Sequence, residues 1–214
     1  MNFCEITWWF VISLQRFGTS NTDAADHAEI LKLAAGISEP AAKTSALMGA
    51  AITLGRSHLE RAGSFIAEAE LPTAETRKLL VAAALAPLRD SHNIDAAGRV
   101  AWLRAQTPTD QQEKALGYFL GEATFTDHAE IREKVDAEMA AGASNTFLGA
   151  FIRNASHRTS TMDVAVSYLS QLTDPAERSR TLREMQQGHR DAARTAAVHA
   201  GVSLIELDAA INSN

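Results

Sequence analysis

Cysteine is almost absent. Cys4 stands alone in 214 residues, so no internal disulfide staples the fold and no cysteine-based zinc site exists. Aromatic residues make up only 6% of the chain, too few for the β-branched and aromatic composition of a sheet protein. Basic charge is in deficit: 20 Lys and Arg against 26 Asp and Glu leave a net charge of -6, which repels a polyanion and sets nucleic acid aside as a partner. No apolar run is long enough to cross a bilayer. Gly-x-Ser-x-Gly, a glycine-rich phosphate loop and His-Glu-x-x-His are all missing, so the sequence assigns no catalytic residue, no cofactor and no metal ligand set.

What the chain has in excess is alanine, 40 of 214 residues. Alanine is the best intrinsic helix former and lets helices approach closely. With 46% hydrophobic and 21% charged residues, the composition is that of a globular chain, neither disordered nor a membrane bundle.

Proline and histidine punctuate this helical background. Pro40, Pro72, Pro108 and Pro175 are separated by 32, 36 and 67 residues, the last gap close to two periods. Each sits where one apolar periodicity stops and the next starts, as suits a residue tolerated in a first helical turn and not in an interior. Thr109 with Gln112, and Asp174 with Glu177, have the spacing of a capping box. At Ala141-Gly142-Ala143-Ser144, glycine is expected to end one helix and Ser144 to cap the next. His27, His58, His92, His128, His157 and His189 recur at gaps of 31, 34, 36, 29 and 32 and are read as the turns between hairpins, with His58 and His128 just inside caps Ser57 and Asp127. Asp26-His27-Ala28-Glu29-Ile30 returns letter for letter at Asp127 to Ile131, a shift of 101 residues that points to internal duplication.

The apolar stripes, such as Leu116, Phe119, Leu120 and Ala123, place helices near 23–36, 40–54, 58–70, 74–89, 95–106, 110–123, 127–141, 145–156, 161–172, 176–187, 190–200 and 203–211. The expected fold is all-α: an α-solenoid of about five helix hairpins of about 33 residues each, closed by a terminal capping helix pair at 188–214. Short amphipathic hairpins cannot bury their own stripes, so neighbours must stack. The expected organisation is a hydrophobic N-terminal segment, 1–20, followed by one repeat domain, 21–214.

The run Val164 to Arg178, with its Tyr168-Leu169 pair followed by Asp174-Pro175 and Arg178, and the weaker echo Ala97 to Gln111 around Trp102-Leu103, resemble units of alanine-rich helical-repeat proteins, HEAT- or TPR-like, of uncharacterised bacterial families. The resemblance covers two of five units. It implies the solenoid fold and carries no activity with it. The tetratricopeptide pattern proper, with Trp-Leu-Gly-Tyr in its first helix, is absent.

Candidate surface residues are His58, His92, His128, His157 and His189, with Arg178, Arg180 and Arg183. Repeated imidazoles suit a ligand surface or a pH response, but hairpins stacked about 10 Å apart keep successive histidines from sharing one zinc ion. As helix-start residues they need no ligand. Glu130 and Lys134 read as a helical ion pair rather than acid–base machinery. The segment after Arg190 has the outline of a helix-turn-helix, yet Leu204 to Asp208 is acidic and apolar where a recognition helix would be basic. Trp102, Tyr118, Phe147, Phe151 and Tyr168 are read as core.

Phe3 to Phe17, with Trp8, Trp9 and Phe10, stands outside the repeat. Three readings stay open for it: a cap over the first hairpin, an anchor contacting a membrane or a partner, and a remnant of a targeting segment. It lacks the basic start and cleavage site of a signal peptide, so the compartment stays open, with a cytoplasmic setting the expectation ahead of an exported one. The functional expectation is a noncatalytic module binding a protein or peptide. The alternatives are a ligand- or metal-binding protein or enzyme with a site on the solenoid surface, and a membrane-peripheral adaptor acting through residues 3–17. Oligomeric state is not encoded in any feature of the sequence.

Overall fold

The computed structural model describes residues 24–86, 96–124 and 128–212. Among them every regular element is helical, and no helix is long and apolar enough to cross a membrane. The chain divides into two compact units, Met1–Thr107 and Pro108–Asn214.

The first unit holds α1 (Ala24–Ala35), α2 (Pro40–Ser57), α3 (Leu59–Glu68), α4 (Thr73–Leu85) and α5 (Ala96–Gln106). Pro40 takes the first helical position of α2, and the Glu39 carboxylate caps it by accepting from the Ala41 and Ala42 amides. Helix α2 packs most closely on α4, the next helix but one, and both contribute fully buried side chains, Leu47 and Ala51 from one and Leu79 and Ala83 from the other. Arg99 of α5 donates to the Ala84 carbonyl at 2.9 Å, fastening α5 over an end of α4 that has run out of intrahelical donors.

The second unit holds α6 (Thr109–Ala123), α7 (His128–Ala140), α8 (Asn145–Ala155), α9 (Met162–Ser167), α10 (Pro175–His199) and α11 (Leu204–Asn212). At its centre is α8, in which Phe147 to Arg153 are all buried, the signature of a helix surrounded on every side. Helix α6 lies against it through Gly117 and Gly121, one turn apart. A Cβ at Gly117 would overlap the Phe147 carbonyl oxygen and come 2.9 Å from Ala150 Cβ, and one at Gly121 would come 2.7 Å from the Phe151 carbonyl oxygen. The two backbones touch because these residues have no side chain.

Helix boundaries follow the punctuation closely. Gly142 ends α7 at φ 92°, and the Ser144 hydroxyl caps α8 by accepting from the Thr146 amide at 3.1 Å. The stripe Leu116, Phe119, Leu120 and Ala123 is buried, as are Trp102, Phe147, Phe151 and Tyr168, while Tyr118 is only half-buried.

Other expectations need correction. No break occurs near Gly188: one helix of 25 residues, α10, runs through the two shorter helices expected at 176–187 and 190–200. The capping pair at 188–214 is therefore the second half of α10 with α11. The helix expected at 161–172 is only six residues of α-helix, α9, between 3₁₀ turns at Thr159–Thr161 and Leu169–Gln171. The β-branched Thr159, Thr161, Val164 and Val166 are crowded into that stretch and weaken regular helix. Thr109 is a first helical residue and not a cap, since Pro108 precedes it in extended conformation. Asp174 does cap α10, accepting from the Ala176 and Glu177 amides, but Glu177 does not reach back to complete a box; its carboxylate is engaged elsewhere.

Candidate functional site

A cluster of ionisable groups in the second unit gathers on α8 and α10 and reaches Glu122 of α6. Arg153, in the last turn of the buried helix α8, is only 2% exposed. An arginine is rarely found so deep unless paired. Its Nη1 donates to Glu177 Oε1 at 2.5 Å and to Thr181 Oγ1 at 2.9 Å, and its Nε lies 3.2 Å from Glu184 Oε2. That last approach is an ion pair without hydrogen-bond alignment, and Nη2 finds no acceptor among the described residues. The helix ends favour this pairing, because a cation suits the C-terminus of α8 and a carboxylate the first turn of α10. Gly149 makes room: a Cβ there would collide with the Glu177 carboxylate.

The cluster extends outward. Arg180 Nε donates to Glu184 Oε1 at 2.8 Å, which raises the arginine further. His157 Nδ1 lies 3.6 Å from Glu122 Oε1, and Arg158 Nη2 lies 3.5 Å from Glu122 Oε2. The Glu122 carboxylate beside it lifts the His157 imidazole above its ordinary value, with Glu184 adding to it and burial and Arg158 opposing. A folded-state value raised in this way stabilises the fold below the unfolded value, and the contribution fades as pH rises through the folded one. His157→Gln is therefore expected to lower the melting temperature more near about pH 5.5 than near about pH 8. Equal losses at both, measured by circular dichroism, would remove His157 from the cluster's energetics. The effect is small, since the imidazole is 60% exposed.

Chemically the cluster neutralises itself: Arg153 and Arg180 face Glu177 and Glu184, and the guanidinium at the centre is shut from solvent. It fastens three helices. A neighbouring contact does the same for α7, where the buried Tyr168 hydroxyl donates to Asp136 Oδ1 at 2.8 Å; burial, then that bond, pushes the phenol up.

The structure scatters the sequence candidates. His157 and Arg180 belong to the cluster. Arg178 instead bridges Glu206 of α11 and the Leu169 carbonyl, closing the 3₁₀ turn. Arg183 is half-buried on α10. His58 is not inside a Ser57 cap: it is itself the junction residue between α2 and α3, with φ -146°, exposed and making no side-chain cap bond. His128 opens α7 and is exposed. His27 marks no turn: it lies within α1, 6% exposed, with its ring edge-on to Phe65 at 5.8 Å. His92, Asp127, the His189 side chain and Phe3 to Phe17 lie outside the described residues. Among the described residues no three His, Cys, Asp or Glu side chains form a group able to hold a metal ion.

Sequence reasoning missed two features. Arg153 sits mid-stripe between Ile152 and Asn154, and the only available signal was a lone charge in an otherwise apolar helix. The other is apolar and exposed: Val198, Leu204 and Ile205, at 42%, 52% and 83% exposure, cluster in sequence about the turn between α10 and α11. Leu207 and Ala210 form the inward face of α11, and Ile205, two residues from Leu207, points about 200° away from it. The helix is held by Arg178 on Glu206 and by Arg194 on Asp208 at 2.9 Å, and so is tied to both halves of α10. No protein-family model, curated protein or solved structure matches the chain.

Proposed function

We propose that this chain is a noncatalytic interaction module, a HEAT- or TPR-like array of stacked hairpins that engages a protein partner through the tip of its C-terminal hairpin. The observation that carries this reading is the placement of exposed apolar side chains. Of the four large hydrophobics exposed among the described residues, Val198, Leu204 and Ile205 flank one turn, and only Leu33 lies elsewhere. Single exposed hydrophobics are ordinary; three beside one turn, at the end of a hairpin anchored by two ion pairs, support a contact surface. Stacking is supported within each unit by the close packing of alternate helices, α2 on α4 and α6 on α8, which is how a repeated hairpin buries its stripe on the next.

The test is a paired capture experiment. Leu204→Asp with Ile205→Asp leaves Leu207 and both ion pairs in place, so the melting temperature is expected to stay within about 2 °C of the parent, as for surface changes generally. Proteins captured from native lysate by the parent and by Leu33→Asp, but lost with the double variant, support the reading. An identical captured set for all three chains contradicts it.

A further inference from the structure

The contacts of the C-terminal hairpin cannot all form on a straight α10. The Val202 amide donates to the Ala197 carbonyl at 2.9 Å, so the chain sets out towards α11 from the level of the last turn of α10. Arg178 lies 19 residues before Ala197, a distance of about 28 Å along a straight helix. Glu206 follows Val202 by only four residues, at most about 14 Å of extended chain. Extended arginine and glutamate side chains in an ion pair add at most about 12 Å between their Cα atoms. These two reaches fall short of the helix length even with no space between the helices, and packed helices stand about 8–10 Å apart. Arg178 nevertheless pairs with Glu206. Helix α10 is therefore bent between Arg178 and Ala197 while staying helical from Pro175 to His199.

Burial in the hairpin agrees with this. Leu207 is fully buried, and Ala193, Ala197 and Ala210 are nearly so. Two helices alone leave their shared seam partly open to water, and the pairing of Arg178 beside Leu207 brings the first half of α10 up to that seam. The bend has an obvious seat. Gly188 is the only glycine of α10 and lies midway between Arg178 and Ala197, while the only proline of the helix is at its first position. Sharp bends in helices concentrate at such residues, and a glycine flexes with the least crowding.

We infer that Gly188 is a hinge and the Arg178–Glu206 pair its latch, so that residues 189–212 move as one unit between a closed hairpin folded on the first half of α10 and an open one standing on a straight helix. The pair of Arg194 and Asp208 lies wholly inside the moving unit and travels with it. Arg178 also donates to the Leu169 carbonyl, so the arginine stays on the fixed side when Glu206 leaves. The Glu206 side chain is 38% exposed, which lets water compete for it. Opening uncovers Leu207 and Ala210 beside the exposed Leu204 and Ile205, so the hinge sets how much apolar surface the hairpin offers. It does not rest on a partner at the tip.

Double electron–electron resonance on the full chain tests this, with Cys4→Ser and nitroxides at Ser170→Cys and Ala209→Cys, both exposed positions. The parent should show one dominant short distance. Glu206→Gln should raise the population of a second distance, longer by at least about 10 Å, roughly two- to fivefold, the weight of one exposed ion pair. Gly188→Ala, which favours the straight helix, should raise the same distance. Asp208→Asn should leave the distribution as in the parent, because the bond it removes does not cross the hinge. Helix content by circular dichroism should match the parent in all three. An unchanged distribution in Glu206→Gln or Gly188→Ala, or an equal second distance in Asp208→Asn, would overturn the inference. Loss of helix in place of a second distance would do the same, since a hinge moves the hairpin without melting it.

Discussion

Arg153→Ala is expected to lower the unfolding free energy of the second unit by about 3–5 kcal/mol, as removing one partner of a buried ion pair generally does. The loss has two sources. Glu177, with its side chain 17% exposed, is left charged beside Gly149 and α8, and a cavity opens in a helix whose neighbours cannot close it. Substituting both partners separates these sources. With Arg153→Met and Glu177→Met together, Glu184 keeps Arg180 as its counter-charge, the buried charges are gone and most of the volume is filled, so at least half of the loss should be regained. The orphaned Nη2 strengthens this expectation, because the native pair leaves donors unsatisfied that methionine does not have. Urea unfolding followed by circular dichroism measures all three chains. A single variant within about 1 kcal/mol of the parent would show that Arg153 is solvated rather than buried.

The second large effect belongs to the seam between α6 and α8. Gly117→Ala with Gly121→Ala raises the helix propensity of α6 by about 2 kcal/mol in total, and on that ground alone would stabilise the unit. Against this, each new methyl meets backbone: the Phe147 carbonyl oxygen at one position and the Phe151 carbonyl oxygen at the other. Backbone inside a buried helix cannot rotate away, so α6 must move outward, loosening Leu116, Phe119 and Leu120 from the core. A net loss of about 3 kcal/mol is expected, with overpacking outweighing propensity. Because the two sites share a partner helix, their costs should not add. A stabilised double variant would mean that the helices stand further apart.

The helical class and most boundaries were legible in the sequence because they rest on local physics. Pro40, Ser144, Asp174 and Gly142 act on their own first or last turn, and they do so whatever packs nearby. Legibility ended where tertiary contacts decide. Gly188 reads as a helix breaker, yet its cost of about 1 kcal/mol is readily overridden by packing, and α10 continues through it. The regular spacing of histidines suggested one shared role, but spacing does not report environment: His27 is buried on an aromatic ring, His58 joins two helices, and His157 pairs with Glu122. Arg153 was invisible for the same reason, since its partners come from a helix more than 20 residues later. The exposed tip was hidden by composition, because Leu204 and Ile205 look like core residues until the fold shows that Leu207 and Ala210 already fill that role.

The function rests on whether that tip meets another protein. The most direct measurement is hydrogen exchange on the full chain, alone and in complex with a partner captured through the parent sequence. Added protection should concentrate in residues 198–208, spanning the end of α10 and the start of α11, with the amides of α2 and α4 unchanged. Protection confined to the first unit, with 198–208 exchanging as in the free chain, would contradict a docking role for the C-terminal hairpin.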